Sequence, residues 1–144
     1  MKKTVKNISQ RLDRKRVLTF GSFDLFHFGH LKLLERAAAL GDELFVGISS
    51  DDLNFAKKGR TPIMTQQERA EIVASLRYVN VVFLEESLEL KREYILRYEA
   101  DVLVMGDDWA GKFDEFKDIC EVVYLPRTKN ISTTELVKRI KSDF

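Results

Sequence analysis

Residues 17–30 read VLTFGSFDLFHFGH, and this stretch decides how the fold begins. Its first half, VLTFGSF, is an apolar, β-rich run that ends at turn-forming residues, which predicts a strand. From Phe28 to Leu40 the apolar positions follow the spacing of one buried helical face, and Gly41 closes the pattern. The stretch therefore predicts a strand that passes through a turn into a helix.

The rest of the chain repeats this alternation. The segments that follow are, in order, a strand in 43–50, a loop over 52–65, a helix over 66–77, a strand in 79–86, a helix over 86–100, a strand in 101–108, a short helical stretch over 113–119, a strand in 120–126 and a helix over 134–144. Thr65 with Glu68, and Ser132 with Glu135, have the spacing of capping boxes. The pattern predicts a single-domain α/β fold with a doubly wound, five-stranded parallel sheet.

Length and composition fit one soluble domain. The chain has 144 residues, of which 44% are hydrophobic and 33% are charged. Its apolar runs are too short to cross a bilayer, and the basic start lacks the apolar region of a signal peptide. The single cysteine, Cys120, cannot form an intramolecular disulfide, so we expect a cytoplasmic protein with an inert, buried thiol.

The net charge of +1 hides an uneven distribution. Residues 1–16 carry seven basic residues and one acidic residue, whereas the remaining 17 basic and 22 acidic residues give the rest a charge of −5. We interpret residues 1–16 as a basic, solvated N-terminal leader, followed by one domain over 17–144. A body of this charge matches a long polyanion poorly, so we expect no nucleic-acid partner, and phosphate binding would need a local cluster.

Three loops of unusual composition follow strands of the predicted sheet. They are GSFDLFHFGH (21–30), MGDDW (105–109) and PRTKNIST (126–133). In an open parallel sheet, ligands bind beyond the carboxyl ends of the strands, near the point where the strand order reverses. The three loops are therefore expected to converge on one binding site.

Both histidines of the chain lie in the first of these loops. His27 and His30 are spaced i, i+3, so they project from one side of the first helical turn, where the positive end of the helix dipole also points. Gly21 and Gly29 leave room for a phosphate near the backbone. Imidazole N–H donors suit a phosphoryl centre that gains charge. The alternatives are capping or core histidines, or two ligands of a zinc ion with no obvious third.

The last loop forms a second predicted phosphate site. Arg127 and Lys129 precede a helix that starts with Ser132, Thr133 and Thr134, which combine free N–H groups, hydroxyls and a guanidinium. A well-capped helix after a basic loop is the alternative.

These motifs together resemble those of a known family. GSFDLFHFGH resembles the H-x-G-H signature of nucleotidyltransferases with a Rossmann-like fold, and RYV (77–79), MGDDWAGKFD (105–114) and YLPRTKNISTTEL (124–136) are similar to those of the cytidylyltransferases. The resemblance runs from about residue 17 to the C-terminus. It is strongest to the members that act on glycerol 3-phosphate.

The resemblance implies a role for each site residue. His27, His30 and Arg127 would be catalytic, and the acceptor or triphosphate would be held by Lys58, Arg69, Arg77 and Lys91, with Lys57 and Arg60 as alternatives to Lys58. The expected nucleotide-binding residues are Gly21, Ser22, Phe23, Asp24, Gly29, Asp107, Trp109, Thr128, Ile131, Ser132, Thr133 and Thr134.

The resemblance also implies the reaction. CMP would pass from CTP to sn-glycerol 3-phosphate to give CDP-glycerol and pyrophosphate, for surface polymers of the teichoic-acid type. Mg²⁺ or another divalent cation would be bound mainly through the triphosphate, with no metal site built from protein side chains. A homodimer without membrane insertion is expected. The alternatives are phosphoethanolamine, phosphocholine or a pentitol phosphate as acceptor, or a non-catalytic nucleotide-binding module.

Overall fold

The computed structural model describes residues 14–144, and within that range five strands form one sheet. The strands are β1 (Arg16–Gly21), β2 (Glu43–Ser49), β3 (Val81–Glu85), β4 (Val102–Gly106) and β5 (Glu121–Leu125). The α-helices are α1 (Phe28–Ala38), α2 (Asp51–Lys58), α3 (Gln66–Ala74), α4 (Lys91–Arg97) and α5 (Thr133–Asp143). The predicted leader lies outside the described residues as far as position 13, and its last residue, Arg16, begins β1.

The predicted parallel sheet is confirmed. Its strand order is β3-β2-β1-β4-β5, and every pairing is parallel. The order reverses between β1 and β4, so the crevice beyond their carboxyl ends is where such a sheet binds ligands.

Both faces of the sheet are covered, as the continuous apolar runs of the inner strands predict. Along β1, Val17 packs into one buried cluster with Leu34 of α1, and Leu18 packs into a second cluster with Ile95 of α4. Successive side chains of a strand point to opposite faces, so one strand supplies both cores. This packing fixes the orientation of β1 and, with it, of the loop that carries the histidines.

The loop predicted over 52–65 is partly wrong, because residues Asp51–Lys58 form helix α2. The Ser50 hydroxyl accepts a hydrogen bond from the Leu53 amide, and Gly59 ends the helix in the left-handed conformation at φ 72°. Two aspartates in the first turn and two lysines in the last turn stabilise the helix through their favourable interaction with its dipole. The helix was not predicted because its eight residues show little apolar periodicity, although its capping residues are clear.

Two other predicted helical segments are tighter than expected. Residues Leu88–Leu90 form a 3₁₀ turn ahead of α4, and the stretch predicted over 113–119 is a 3₁₀ turn at Asp114–Asp118. The Thr65–Glu68 capping box is confirmed. Of the predicted Ser132–Glu135 box only one half is present: the Ser132 side chain caps α5, whereas the Glu135 carboxylate pairs with Lys138.

None of the described helices has the length and hydropathy required to cross a membrane. Cys120 is half-buried, and this burial raises the pKa of its thiol, so the thiol stays protonated at neutral pH.

A single buried arginine holds the loops of the carboxyl edge together. The Arg69 guanidinium on α3 has no solvent exposure and donates to the carbonyl oxygens of Ser22 (2.8 Å), Ser49 (2.8 Å) and Met64 (3.0 Å). It also pairs with Asp51 at 2.8 Å. Arg69 therefore joins the segments that follow β1 and β2 to the loop that precedes α3.

Arg69→Leu is expected to lower the free energy of unfolding by about 3 kcal/mol or more, because it leaves buried carbonyl oxygens and a carboxylate without their donor. Urea denaturation measures this change. The same substitution at the exposed Arg77 is the control and should stay within about 0.5 kcal/mol of the parent protein. Equal effects at the two positions would contradict the role assigned to Arg69.

Candidate active site

A cavity of about 770 Å³ opens at the carboxyl edge of the sheet. Its walls are the segments that follow β1, β4 and β5, completed by α2 and the last residue of β3. It lies where the strand order reverses, and its volume is that of a small-molecule site. The predicted convergence of the three loops is confirmed.

His27 and His30 form a reciprocal cap at the start of α1. The Nδ1 atom of His27 accepts a hydrogen bond from the Gly29 amide at 3.0 Å, and Nδ1 of His30 accepts one from the His27 amide at 3.1 Å. The two rings are stacked, with centroids 3.8 Å apart and planes 23° apart. The capping alternative is therefore correct as a description of Nδ1, and it leaves the opposite edge of each ring for a ligand.

The cap also sets the tautomer of both rings. A neutral imidazole has one N–H donor and one acceptor nitrogen, and Nδ1 acts as the acceptor in each histidine. The proton of each neutral ring is therefore on Nε2. Both side chains line the cavity, so the fold offers it two N–H donors from one turn.

Both histidines are held neutral. Burial lowers the pKa of His30 to about 3, with a further contribution from His27 and an opposing one from the Asp24 carboxylate. Burial and the positive charge of Arg127 also lower the pKa of His27. At neutral pH the pair therefore consists of two neutral hydrogen-bond donors.

The glycines of this turn have packing reasons as well. A Cβ at Gly29 would lie 2.8 Å from the His27 ring, and a Cβ at Gly21 would lie 2.8 Å from the ring of Phe23. Phe23 in turn packs its edge against His30 at a centroid distance of 5.4 Å. The glycines thus let the aromatic rings close around the histidine pair.

The start of α5 faces the same cavity. The Ser132 hydroxyl accepts from the Glu135 amide at 3.1 Å, and the Thr133 hydroxyl donates to the Asp24 carbonyl at 3.1 Å. The amides of Thr133 and Thr134 lie in the turn where an α-helix makes no internal hydrogen bond. Those amides and the positive end of the dipole can bind an anion.

Arg127, just before α5, pairs with Asp108 after β4 at 3.2 Å. About half of each side chain is exposed, with 57% of Arg127 and 48% of Asp108 accessible. Such an exposed pair contributes little to stability, so a phosphate group can replace the carboxylate at low cost.

Helix α2 brings two lysines to the cavity. Lys57 and Lys58 both line it, together with Asn54 on the preceding turn, whereas Arg60 lies beyond the helix and is exposed. Burial lowers the pKa of Lys57, the Glu85 carboxylate opposes that shift, and Lys91 and Lys58 add to it. The lysine that contacts phosphate therefore remains open between Lys57 and Lys58.

Lys91 forms a buried ion pair at the wall of the cavity. Its ammonium contacts the carboxylate of Glu85, and 5% and 2% of the two side chains are exposed. The same ammonium lies 4.6 Å from the centroid of the Phe20 ring and 5.6 Å from that of Phe113. Lys91 thus carries a charge held by one carboxylate and two aromatic rings.

Four predicted site residues do not line the cavity. Asp107 is beside the lining residue Asp108, Arg77 is on the exposed surface, and Arg69 is buried with its donors on protein oxygens. The Asp24 carboxylate accepts from the amides of Ile63 (2.8 Å), Met64 (2.9 Å) and Leu25 (3.1 Å). In the structure, Arg69 and Asp24 make contacts that position loops.

The other predicted residues do line it: His27, His30, Arg127, Gly21, Ser22, Phe23, Gly29, Trp109, Thr128, Ile131, Ser132, Thr133, Thr134, Lys58 and Lys91. The sequence reasoning missed Asn54, Glu85 and Asp108. Glu85 ends a strand at the carboxyl edge, and that position was the available signal. Among residues 14–144, no group of three or more histidine, cysteine, aspartate or glutamate side chains is placed to hold a metal ion.

The histidine geometry predicts a specific NMR result. The chain has two histidines, so ¹H–¹⁵N long-range correlation spectra contain two imidazole patterns. Both are expected to show the Nε2–H tautomer at pH 7, and His30 should remain unprotonated at pH 5. A His30 titration near pH 6.5 would contradict the buried cap.

The same shift predicts a loss of stability in mild acid. The folded pKa of His30, about 3, lies below its unfolded value of 6.5, so the unfolded state binds more protons as the pH falls through 6.5. The free energy of unfolding should fall by about 1–2 kcal/mol between pH 7 and pH 5. His30→Asn, measured by urea denaturation, should flatten this dependence.

Comparison with known proteins assigns the chain to a family. Residues 18–139 match the family model described as cytidylyltransferase-like. The glycerol-3-phosphate cytidylyltransferase of Bacillus subtilis (strain 168) is 51% identical over 126 residues, which cover 88% of this chain and 97% of the relative. The enzyme of that name from Bacillus spizizenii is 48% identical, with 89% and 98% covered.

A solved structure supports the fold. The lipopolysaccharide core biosynthesis protein of Thermoplasma volcanium superposes with a TM-score of 0.68 at 22% identity, covering 81% of this chain and 99% of that one. The fold, the convergence of the three loops and the match over residues 18–139 lead to one assignment: the chain belongs to the cytidylyltransferase-like family.

Proposed function

We propose that the protein transfers CMP from CTP to sn-glycerol 3-phosphate and releases CDP-glycerol and pyrophosphate. The observation that carries the proposal is one cavity lined by both a neutral histidine pair and a separate group of lysines. The first suits a phosphorus centre under attack, and the second suits an anionic acceptor. The names of the relatives from the two Bacillus species support this choice of substrates.

The triphosphate is assigned to the segments that follow β4 and β5. Arg127 exchanges its contact with Asp108 for the β- and γ-phosphates, and the amides at the start of α5 bind the same oxygens. The charge of the leaving pyrophosphate is then balanced by a guanidinium and a helix dipole.

His27 and His30 act on the α-phosphate. The α-phosphate gains charge on its non-bridging oxygens during in-line displacement, and preorganised N–H donors stabilise that charge. Because the pKa of His30 is about 3, its ring acts as a neutral donor near pH 7, without carrying a proton between reactants. The cap holds both rings in position before the substrate arrives.

The acceptor needs no general base. A phosphate monoester with a second pKa of about 6 is already largely dianionic at neutral pH. Lys91 and one of the α2 lysines orient the attacking oxygen, so catalysis consists of positioning and charge stabilisation.

Mg²⁺ enters this proposal with the substrate, as MgCTP. Its ligands would be phosphate oxygens and water, which is how magnesium commonly binds at nucleotide sites.

The cavity disfavours a choline acceptor. A quaternary ammonium is bound by the faces of aromatic rings, and here the ammonium of Lys91 already lies over Phe20 and Phe113. A second cation at this position would meet like charge. Phosphoethanolamine and a pentitol phosphate remain as rival acceptors, with a non-catalytic nucleotide-binding module as the rival of another class.

CDP-glycerol is an activated donor of glycerol phosphate, so the proposal places the reaction before the assembly of surface polymers of the teichoic-acid type. A cytoplasmic location and a homodimer are the accompanying predictions. Light scattering after size-exclusion chromatography measures the latter.

His30→Ala is expected to reduce turnover at least about a hundredfold, because one preorganised donor contributes on the order of 3 kcal/mol to transition-state stabilisation. The far-UV circular dichroism should be retained. Pyrophosphate release from CTP is the assay. Near-normal turnover in a folded variant would refute the assignment of His30 to the α-phosphate.

A panel of acceptors separates the rival functions. Pyrophosphate release from MgCTP should be fastest with sn-glycerol 3-phosphate and much slower with phosphoethanolamine, phosphocholine and ribitol 5-phosphate. Faster release with another acceptor would replace the proposed substrate. CTP binding without release for any acceptor would favour the non-catalytic module.

A further inference from the structure

The lysine side of the cavity contains two polar oxygens that the proposed reaction does not use. One belongs to the Asn54 side chain on α2, and the other to the Glu85 side chain at the end of β3. Both residues line the cavity and both are 1% exposed. Buried polar groups are nearly always hydrogen-bonded, so oxygens buried at a binding site are candidates for contact with a ligand.

The amide orientation of Asn54 is fixed by its neighbours. Its Nδ2 atom donates to the carbonyl oxygens of Ser49 (3.1 Å) and Ser50 (2.9 Å), and lies 2.9 Å from the Ser49 hydroxyl. A flipped amide would place an oxygen against two carbonyl oxygens, so this orientation is the only favourable one. The carbonyl oxygen Oδ1 therefore points away from the backbone of β2.

That Oδ1 atom is buried and accepts a hydrogen bond from none of residues 14–144. An unpaired buried acceptor is unfavourable, and it becomes favourable when a ligand supplies a donor. Lys57 is one turn further along α2 and lines the same cavity. A ligand phosphate on Lys57 would bring its neighbouring atoms within reach of this side chain.

Glu85 supplies the second acceptor. One oxygen, Oε2, contacts the Lys91 ammonium, so the second oxygen of the carboxylate is the one available to a ligand. The charges around it are positive, since Lys91 contacts it and the charge of Lys57 is coupled to it. Such a carboxylate accepts hydrogen bonds from neutral donors, whereas the lysines oppose a second ammonium.

We propose, building on the proposed function, that Asn54 and Glu85 recognise the hydroxyl groups of the acceptor, while Lys91 and one of the α2 lysines bind its phosphate. The site is thereby specific for a phosphorylated polyol over a phosphorylated alcohol without further hydroxyl groups. An acceptor that lacks the hydroxyls leaves the buried Asn54 oxygen without a donor and gives the Glu85 carboxylate no donor besides Lys91. A site built to hydrogen-bond hydroxyl groups rejects analogues that lack them strongly.

The test compares sn-glycerol 3-phosphate with n-propyl phosphate, which has the same carbon chain and phosphate but no free hydroxyl. The ratio of kcat/KM for the two acceptors is measured at saturating MgCTP, and the ratio of their Kd values by titration calorimetry. The wild-type protein should favour glycerol 3-phosphate by at least about a hundredfold. Glu85→Gln and Asn54→Ala should each reduce that ratio at least about tenfold.

Glu86→Gln is the matched control, because it is the same substitution at the next residue, which is exposed and outside the cavity. It should leave the ratio unchanged. Thermal unfolding identifies a variant that fails to fold. Because Glu85→Gln removes the charge that balances the buried Lys91 ammonium, the further variant Glu85→Asp keeps a carboxylate there while moving its oxygens, and it should also reduce the ratio.

The outcomes separate the two proposals. Equal losses for both acceptors in the variants would overturn the recognition of hydroxyls and leave cytidylyl transfer intact. Selective binding of glycerol 3-phosphate without turnover would preserve the recognition and remove the proposed reaction. Equal affinity of the wild type for the two acceptors, or no binding of either, overturns the inference.

Discussion

The structure of the candidate site depends on one buried guanidinium. Arg69 extends from α3 to the carbonyl oxygens of Ser22, which follows β1, and Ser49, which ends β2, and it pairs with Asp51 in the first turn of α2. Without this cation, three carbonyl oxygens and a partly exposed carboxylate would lie near one another without their shared donor. The Asp24 carboxylate makes a similar connection, since it binds the amides of Ile63 and Met64 across the same gap. These contacts connect the turn that carries His27 and His30 to α2 through α3 and the loop before it.

On that edge, local helix chemistry sets the electronic state of the histidines. A helix start must satisfy its free amides, and here the imidazole Nδ1 atoms of His27 and His30 do so. The same two hydrogen bonds that begin α1 fix both tautomers, and burial with the neighbouring charges keeps both rings neutral. One edge of each ring thus caps the helix while the other carries the Nε2–H donor, so capping does not exclude the binding of a ligand.

Periodicity and capping residues predicted the sheet, its parallel order and the loops that meet at its edge, because each is a local pattern of the chain. Helix α2 was missed because its eight residues contain too few apolar positions for a periodic signal, although Ser50 and Gly59 cap it clearly. The burial of Arg69 was beyond sequence reasoning, since its partner Ser22 is 47 positions away. Asn54 was missed for a similar reason, because the sequence does not show which donors lie near its Oδ1 atom in the folded protein. The resemblance of motifs singled out Arg69 as a ligand-binding residue, whereas its contacts with protein oxygens follow only from the fold.

Two ion pairs at the cavity differ in their exposure to solvent, and this difference separates the roles of their carboxylates. Arg127 and Lys91 each have a protein carboxylate as partner, but 57% of Arg127 is exposed whereas 5% of Lys91 is. Because the Arg127–Asp108 pair is exposed to solvent, separating it costs little, and under the proposed reaction a triphosphate displaces Asp108. The Lys91–Glu85 pair is buried, and separating it would leave a buried charge unpaired, so under the proposed reaction we expect Glu85 to stay in place. Under the proposed reaction, the nucleotide therefore replaces the Asp108 carboxylate at Arg127, while the acceptor binds beside the Glu85 carboxylate. A carboxylate that remains in the acceptor site can contribute to specificity, and the displaced carboxylate cannot.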